Sequence, residues 1–236
     1  MGALKVVSFL KRRPDLDLPA FSEYWRSVHK AHAMKLVEAG FIRGYIQNHP
    51  LGAGLDGLAT IADGSPELWI DSADCLQRLV QSPEYLEGAG PDEANFSAPP
   101  VIACVAEERV LRDGEAPAGA IKLMLAVRRH PQLEMAEFRE RWLAGESALL
   151  PQRCLRLTRH AALDDDAPIH GTEFSWWPDL ETLRQAWQGR DPAAAEMLVA
   201  RHSLAGLLAL EEVVVAPPAQ HCEPTSLLPE PVQTES

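Results

Sequence analysis

Three histidines, His29, His32 and His49, stand with Tyr45 and Asp71 as the residues whose types and spacing could do chemistry. His29 and His32 lie three positions apart, so a helix would carry both on one side. His49 closes a run in which Tyr45, Gln47 and His49 alternate onto one face of a strand. Histidine titrates near neutral pH and could take a proton from a phenol or an enolisable carbon and return it. Tyr45 could donate to a developing oxyanion and Asp71 could orient an imidazole, giving a candidate catalytic set of His29, His49, Tyr45 and Asp71. His32, Trp25, Gln47 and Trp69 are candidate substrate contacts. A plainer alternative stands beside each: a helix histidine often serves packing, and Trp25 sits on an apolar stripe as a core anchor would. A metal site is not expected, since the helix pair is spaced i, i+3 and no nearby carboxylate completes a ligand set.

The element that must position these groups is a helix beginning near Asp17, a natural N-cap, with Pro19 in its first turn and Gly40 suited to its end. At about 100° per residue, Phe21, Trp25, Val28, His32 and Leu36 share a stripe, with His29 at its edge. Strands are expected at Leu4 to Leu10, Phe41 to His49, Leu58 to Ala62, Glu67 to Asp71 and Val101 to Leu111, with a helix from Ser72 through Val80. The segment Ser82 to Pro100 reads mostly as loop.

After the linker-like Arg112 to Gly119 the pattern returns. Pro14, Leu16, Phe21 and Trp25 recur as Pro131, Leu133, Phe138 and Trp142, a constant offset of 117 from Trp25 to Trp142. Gln47-Asn48-His49 aligns with Thr158-Arg159-His160, Trp69 with Trp176, Ser72 with Asp179, and Glu107-Glu108 with Glu211-Glu212. The expected fold is α+β: two tandem ferredoxin-like βαββαβ units whose antiparallel sheets face each other to form an α+β barrel. The units are read as residues 1–115 and 116–218, with 219–236 a mobile or loosely docked tail. Tyr45/Gln47/His49 and Arg156/Thr158/His160 should then line the interior, with Ile46 and Leu157 packed under helices. The second half replaces His29 by Glu146 and His32 by Leu149, so any site is expected in the first.

Composition bounds the function. With 46% hydrophobic and 24% charged residues in 236, the chain suits a soluble globular protein, and no apolar run reaches the ~20 residues of a membrane span. A net charge of −12 repels phosphate backbones, so nucleic acid is not an expected partner. Cys75, Cys104, Cys154 and Cys222 make no close pair, which points to reduced thiols and a cytoplasmic location.

Arg12-Arg13-Pro14, Phe21 to His29, Tyr45-Ile46-Gln47-Asn48-His49, Leu68-Trp69-Ile70-Asp71-Ser72 and Asp92-Glu93-Ala94-Asn95-Phe96 together resemble the EthD family of the dimeric α+β barrel superfamily. The resemblance covers most of residues 4 to 111, with a degenerate copy over about 120 to 216. It implies two units fused in one chain where single-unit relatives pair two chains, and a homodimer of this chain stays open. It adds Phe96 to the candidate substrate contacts. EthD-like proteins are associated with ether breakdown, some relatives look like decarboxylases or dehydratases of aromatic polyketides, and the wider superfamily includes cofactor-independent monooxygenases and haem proteins. The expectation is a cofactor-independent enzyme, an EthD-type lyase or oxygenase, using histidine acid–base chemistry on a small aromatic or apolar substrate in the barrel interior. The alternative is a non-catalytic small-molecule binding, carrier or structural module of the same fold.

Overall fold

The computed structural model describes residues 3–146, 149–150 and 153–218. The tail 219–236 and Cys222 lie outside them. The first half runs β1 (Leu4–Arg12), α1 (Leu18–Tyr24), a π-helical turn (Trp25–His29), α2 (Lys30–Glu38), β2 (Gly44–Pro50), β3 (Ala59–Thr60), β4 (Ser65–Ile70), α3 (Ala73–Val80), a second π-helical turn (Tyr85–Ala89) entering α4 (Gly90–Glu93), and β5 (Ser97–Arg112). The second half runs β6 (Ile121–Val127), α5 (Met135–Leu143), β7 (Arg156–Ala162), β8 (Gly171–Trp177), α6 (Leu180–Gln188) and β9 (Ala205–Val215). Apart from the short β3, the order βαββαβ occurs twice. Side-chain caps start the helices where the sequence places them: Asp17 accepts from Ala20, Ser72 from Cys75 and Asp179 from Thr182.

The strands are ordered β2-β4-β1-β5-β7-β8-β6-β9, and β2 pairs again with β9. Eight antiparallel strands thus close into one barrel with no open edge, each half contributing four. The expected α+β barrel is the observed fold.

An eight-stranded barrel is just wide enough for side chains to fill it, and this one is filled by a charged network. Lys5 bonds Glu67 at 2.6 Å and Glu108 at 2.8 Å, Lys122 bonds Glu67 and lies 2.7 Å from Glu211, and His160 sits 3.1 Å from both Lys5 and Glu108. Lys5 lies over Trp69 and Lys122 over Trp176, each 4.4 Å from the ring centroid. The two halves therefore supply matching Lys/Trp/Glu sets, Lys5/Trp69/Glu108 and Lys122/Trp176/Glu211, around the shared Glu67. Among the described residues this part of the interior holds packed ion pairs, which corrects the expectation of a substrate space there.

The faces of β2 are also corrected. Trp25 on the helix side donates its indole N–H to the Tyr45 hydroxyl at 3.1 Å, and the Gln47 amide donates to the Trp25 carbonyl at 3.2 Å. Tyr45, Gln47 and His49 thus point under the helices, whereas Asn48 reaches inward to Glu67 at 2.7 Å. The strand registers show why. Asn48 pairs with Ser65, four residues before Trp69, and His160 pairs with Thr172, four residues before Trp176. His160 is thus the counterpart of Asn48, not of His49, and a one-residue slip exchanges the two faces of a strand. The expectation for β7 holds at His160, which does face inward.

Candidate functional site

The helix carrying His29 departs from the 3.6-residue repeat where chemistry was expected. Its inward residues are Phe21, Trp25, His29, Ala33 and Leu36, while Val28 is 41% exposed and His32 only half-buried. The π-helical turn Trp25–His29 inserts one extra residue per turn, rotating everything after it. His29 therefore moves from the edge of the apolar stripe to its middle, and His32 is turned out against Gly88.

His29 donates Nδ1–H to Asp92 Oδ2 at 2.8 Å, because a carboxylate can only accept. The carboxylate is itself held by the Tyr24 hydroxyl at 2.7 Å and the Asn95 amide at 3.0 Å. Burial pushes Asp92 upward, but these three donors outweigh it and hold its carboxyl below the usual value. Burial lowers His29 more than Asp92 raises it, so the ring is neutral at pH 7. With Nδ1 fixed as donor, Nε2 carries a lone pair and has no hydrogen-bond partner among the described residues.

A cavity of about 120 Å³ opens beside this ring, walled by Trp25, His29, Tyr45, Tyr85, Glu93 and Phe96 among others. It exists because the first half does not pack as one body. Leu10, Phe21, Trp25 and Phe96 form one cluster, Ala33, Leu36, Ile42, Tyr45, Leu79 and Ala89 another, and residues of both line the gap. The second half merges with the barrel wall into a single cluster. The Tyr45 hydroxyl accepts from Trp25 and, at 2.8 Å, from Gln47, and burial pushes it up to about 12.

Of the residues singled out in the sequence, His29, Tyr45, Trp25 and Phe96 meet at this cavity. His49 does not line it. It packs on Trp25 with centroids 4.9 Å apart, its Nε2 lies 3.0 Å from Gln47 Oε1, and burial followed by the charge of Arg26 pushes it down to about 4. Gln47 serves as a bracket between Trp25 and Tyr45, and His32 and Trp69 also stand outside the cavity lining. Asp71 is half-exposed and paired with Arg43 at 2.7 Å, so it orients no imidazole. The carboxylate that does so, Asp92, lies in a segment read as loop. Pro91 followed by Asp92 and Glu93 is a first-turn pattern that could have revealed α4.

At the matching place in the second half a cavity of about 190 Å³ is walled by the buried pair Arg159–Glu173, at 2.7 Å, instead of an imidazole. Glu146 stands after the end of α5, bonded to Arg141 at 2.8 Å. A hollow of about 450 Å³ lies beside Trp187, Arg190 and His202. Neither space holds an imidazole tied to a carboxylate. Among the described residues no three His, Cys, Asp or Glu side chains converge as metal ligands. The first-half cavity is too small for a porphyrin, so a haem does not fit at His29.

Residues 13–100 match the EthD domain. Over nearly the whole chain the fold is similar to an anthrone oxidase-like protein, with 14% identity, a TM-score of 0.62, and 93% of this chain and 96% of that one covered. It is also similar to a protein named "putative monooxygenase" from Lactobacillus acidophilus NCFM, at 9% identity and a TM-score of 0.53 over 92% and 98% of the two chains. At these identities the likeness is one of fold. No curated protein matches the sequence. No helix among the described residues is long and apolar enough to cross a membrane. The EthD match ends within β5, at residue 100, and includes His29, Tyr45, Asp92 and Phe96.

Proposed function

We propose that this EthD unit is an acid–base enzyme acting on a small aromatic or otherwise apolar substrate held between helices and sheet, with His29 as general base and Asp92 as its orienting group. The observation that carries this reading is the 2.8 Å His29–Asp92 bond on the wall of an aromatic-lined cavity. Asp92 selects the tautomer whose free nitrogen can receive a proton, and the lowered affinity of His29 for protons keeps that nitrogen free at neutral pH. A cavity of about 120 Å³ is on the scale of one ring, since benzene occupies apolar cavities of roughly 150 Å³. It falls below the roughly 300 Å³ at which ordinary ligand pockets begin. The proton transfer needs no bound cofactor.

Binding and turnover of single-ring phenols and cyclic ketones, measured on wild type, His29→Ala and Asp92→Asn, test the reading. General-base removal is expected to lower turnover by roughly 10²–10⁴-fold with the melting temperature nearly unchanged. Ligand binding without any turnover in wild type would favour the binding module and defeat the enzyme.

A further inference from the structure

We propose that Glu93 is the proton donor of the same cavity and that the substrate class is an enolisable carbonyl compound of about one ring. This rests on His29 being the base there. Glu93 follows Asp92 in α4, so one turn of chain delivers the carboxylate that holds the base and a second carboxyl that lines the cavity. Asp92 is turned to His29, Tyr24 and Asn95, whereas Glu93 is turned to Tyr85, whose hydroxyl lies 3.4 Å from Glu93 Oε1. Two neighbouring carboxyls thus stand in different surroundings. Burial and then the charge of Asp92 raise Glu93 above the ordinary glutamate value, against the hydrogen bond from Tyr85. His29 faces Asp92 and His32, and burial moves it the opposite way. Burial thus favours the neutral form of each group, a carboxylic acid that can donate and an imidazole that can accept.

A phenol needs only the base, and a donor at the same cavity would have no task. A ketone uses both. His29 Nε2 takes the α-proton, the C–H electron pair becomes the carbon–carbon double bond, and the carbonyl π pair moves onto oxygen, which receives the proton of Glu93. The product is the enol, and reversal returns both protons. Atoms and charge balance without an oxidant or a cofactor.

The test is the exchange of the α-hydrogens of cyclohexanone in D2O, followed by proton NMR with the full-length protein across pH. Wild type should exchange faster than buffer with a bell-shaped profile, because the reaction needs His29 deprotonated and Glu93 protonated at once. Glu93→Gln keeps the size of the side chain and can still accept from Tyr85. It should slow exchange at least tenfold and abolish the alkaline fall, while Glu93→Asp retains that fall at a lower rate. Equal rates and profiles for Glu93→Gln and wild type, with His29→Ala inactive, would overturn the role of Glu93 and leave His29 as base. No exchange by wild type would overturn both.

Discussion

Glu67 shows most sharply what a single residue does in this molecule. Its carboxylate is fully buried, held by Lys5, Lys122 and Asn48. Burial acts to raise it, but the two ammonium groups prevail and bring it down to about 2. A depressed carboxyl stabilises the fold above its unfolded value near 4.5, and that contribution is lost as pH falls toward 2. His49 and His160, brought down to about 4 chiefly by burial, act in the same sense at higher pH. The unfolded chain takes up their protons below about 6.5 while the folded chain does not, so stability declines from there. The melting temperature should therefore be nearly flat between about pH 7 and 8, fall from 6.5 to 4, and fall further below 4.5. A melting temperature that rose on acidification to pH 5 would contradict this. Glu67→Gln leaves two buried ammonium groups short of a counter-charge, and a loss of about 3–5 kcal/mol in urea unfolding is expected. A loss under about 1 kcal/mol would mean the network relaxes around the change.

At the scale of elements, the two halves share one device for seating a helix on the sheet. Gly64 lies beneath Phe21 and Trp25, and Gly171 beneath Phe138 and Trp142. An added Cβ would approach Trp25 to 2.8 Å and Trp142 to 2.9 Å. Gly64→Ala and Gly171→Ala should each cost about 1–3 kcal/mol in denaturant unfolding, as overpacking does. Gly64→Ala should also disturb the cavity, since Trp25 is its wall. Equal stability of both variants and wild type would show that the indoles shift freely. These seats go with the part of the fold that was legible in the sequence, because Phe21/Trp25 and Phe138/Trp142 return at constant spacing. Two things were not legible. A π-helical turn leaves residue types unchanged and alters only which of them face inward, so Val28 and His32 looked like core and His29 like its edge. On β2 the polar residues Gln47, Asn48 and His49 are all buried, so alternation could not distinguish the face under Trp25 from the face toward Glu67. Asp92 escaped because α4 is a single turn.

For the whole molecule, the decisive feature is that neither half completes its own interior. The seams β5–β7 and β2–β9 join the halves by backbone pairing, and the ion pairs cross them as well. Lys122 of the second half neutralises Glu67 of the first, and Lys5 of the first lies against His160 of the second. The candidate site, by contrast, is built entirely by residues 8 to 101. The candidate site is thus local to one half while stability is shared, and the second half, whose matching cavity has an ion pair in place of an imidazole, acts as a closing wall. Residues 1–115 produced alone would expose β2 and β5 as unpaired edges and would carry Lys5, Glu67 and Glu108 without Lys122 or His160. Such a fragment should unfold without cooperativity, or associate with a second copy of itself to cover those edges, in which case its denaturation midpoint rises with protein concentration. A fragment that unfolded cooperatively with a midpoint independent of concentration would show that the first sheet stands without the barrel, and the shared interior would then not be what holds this fold.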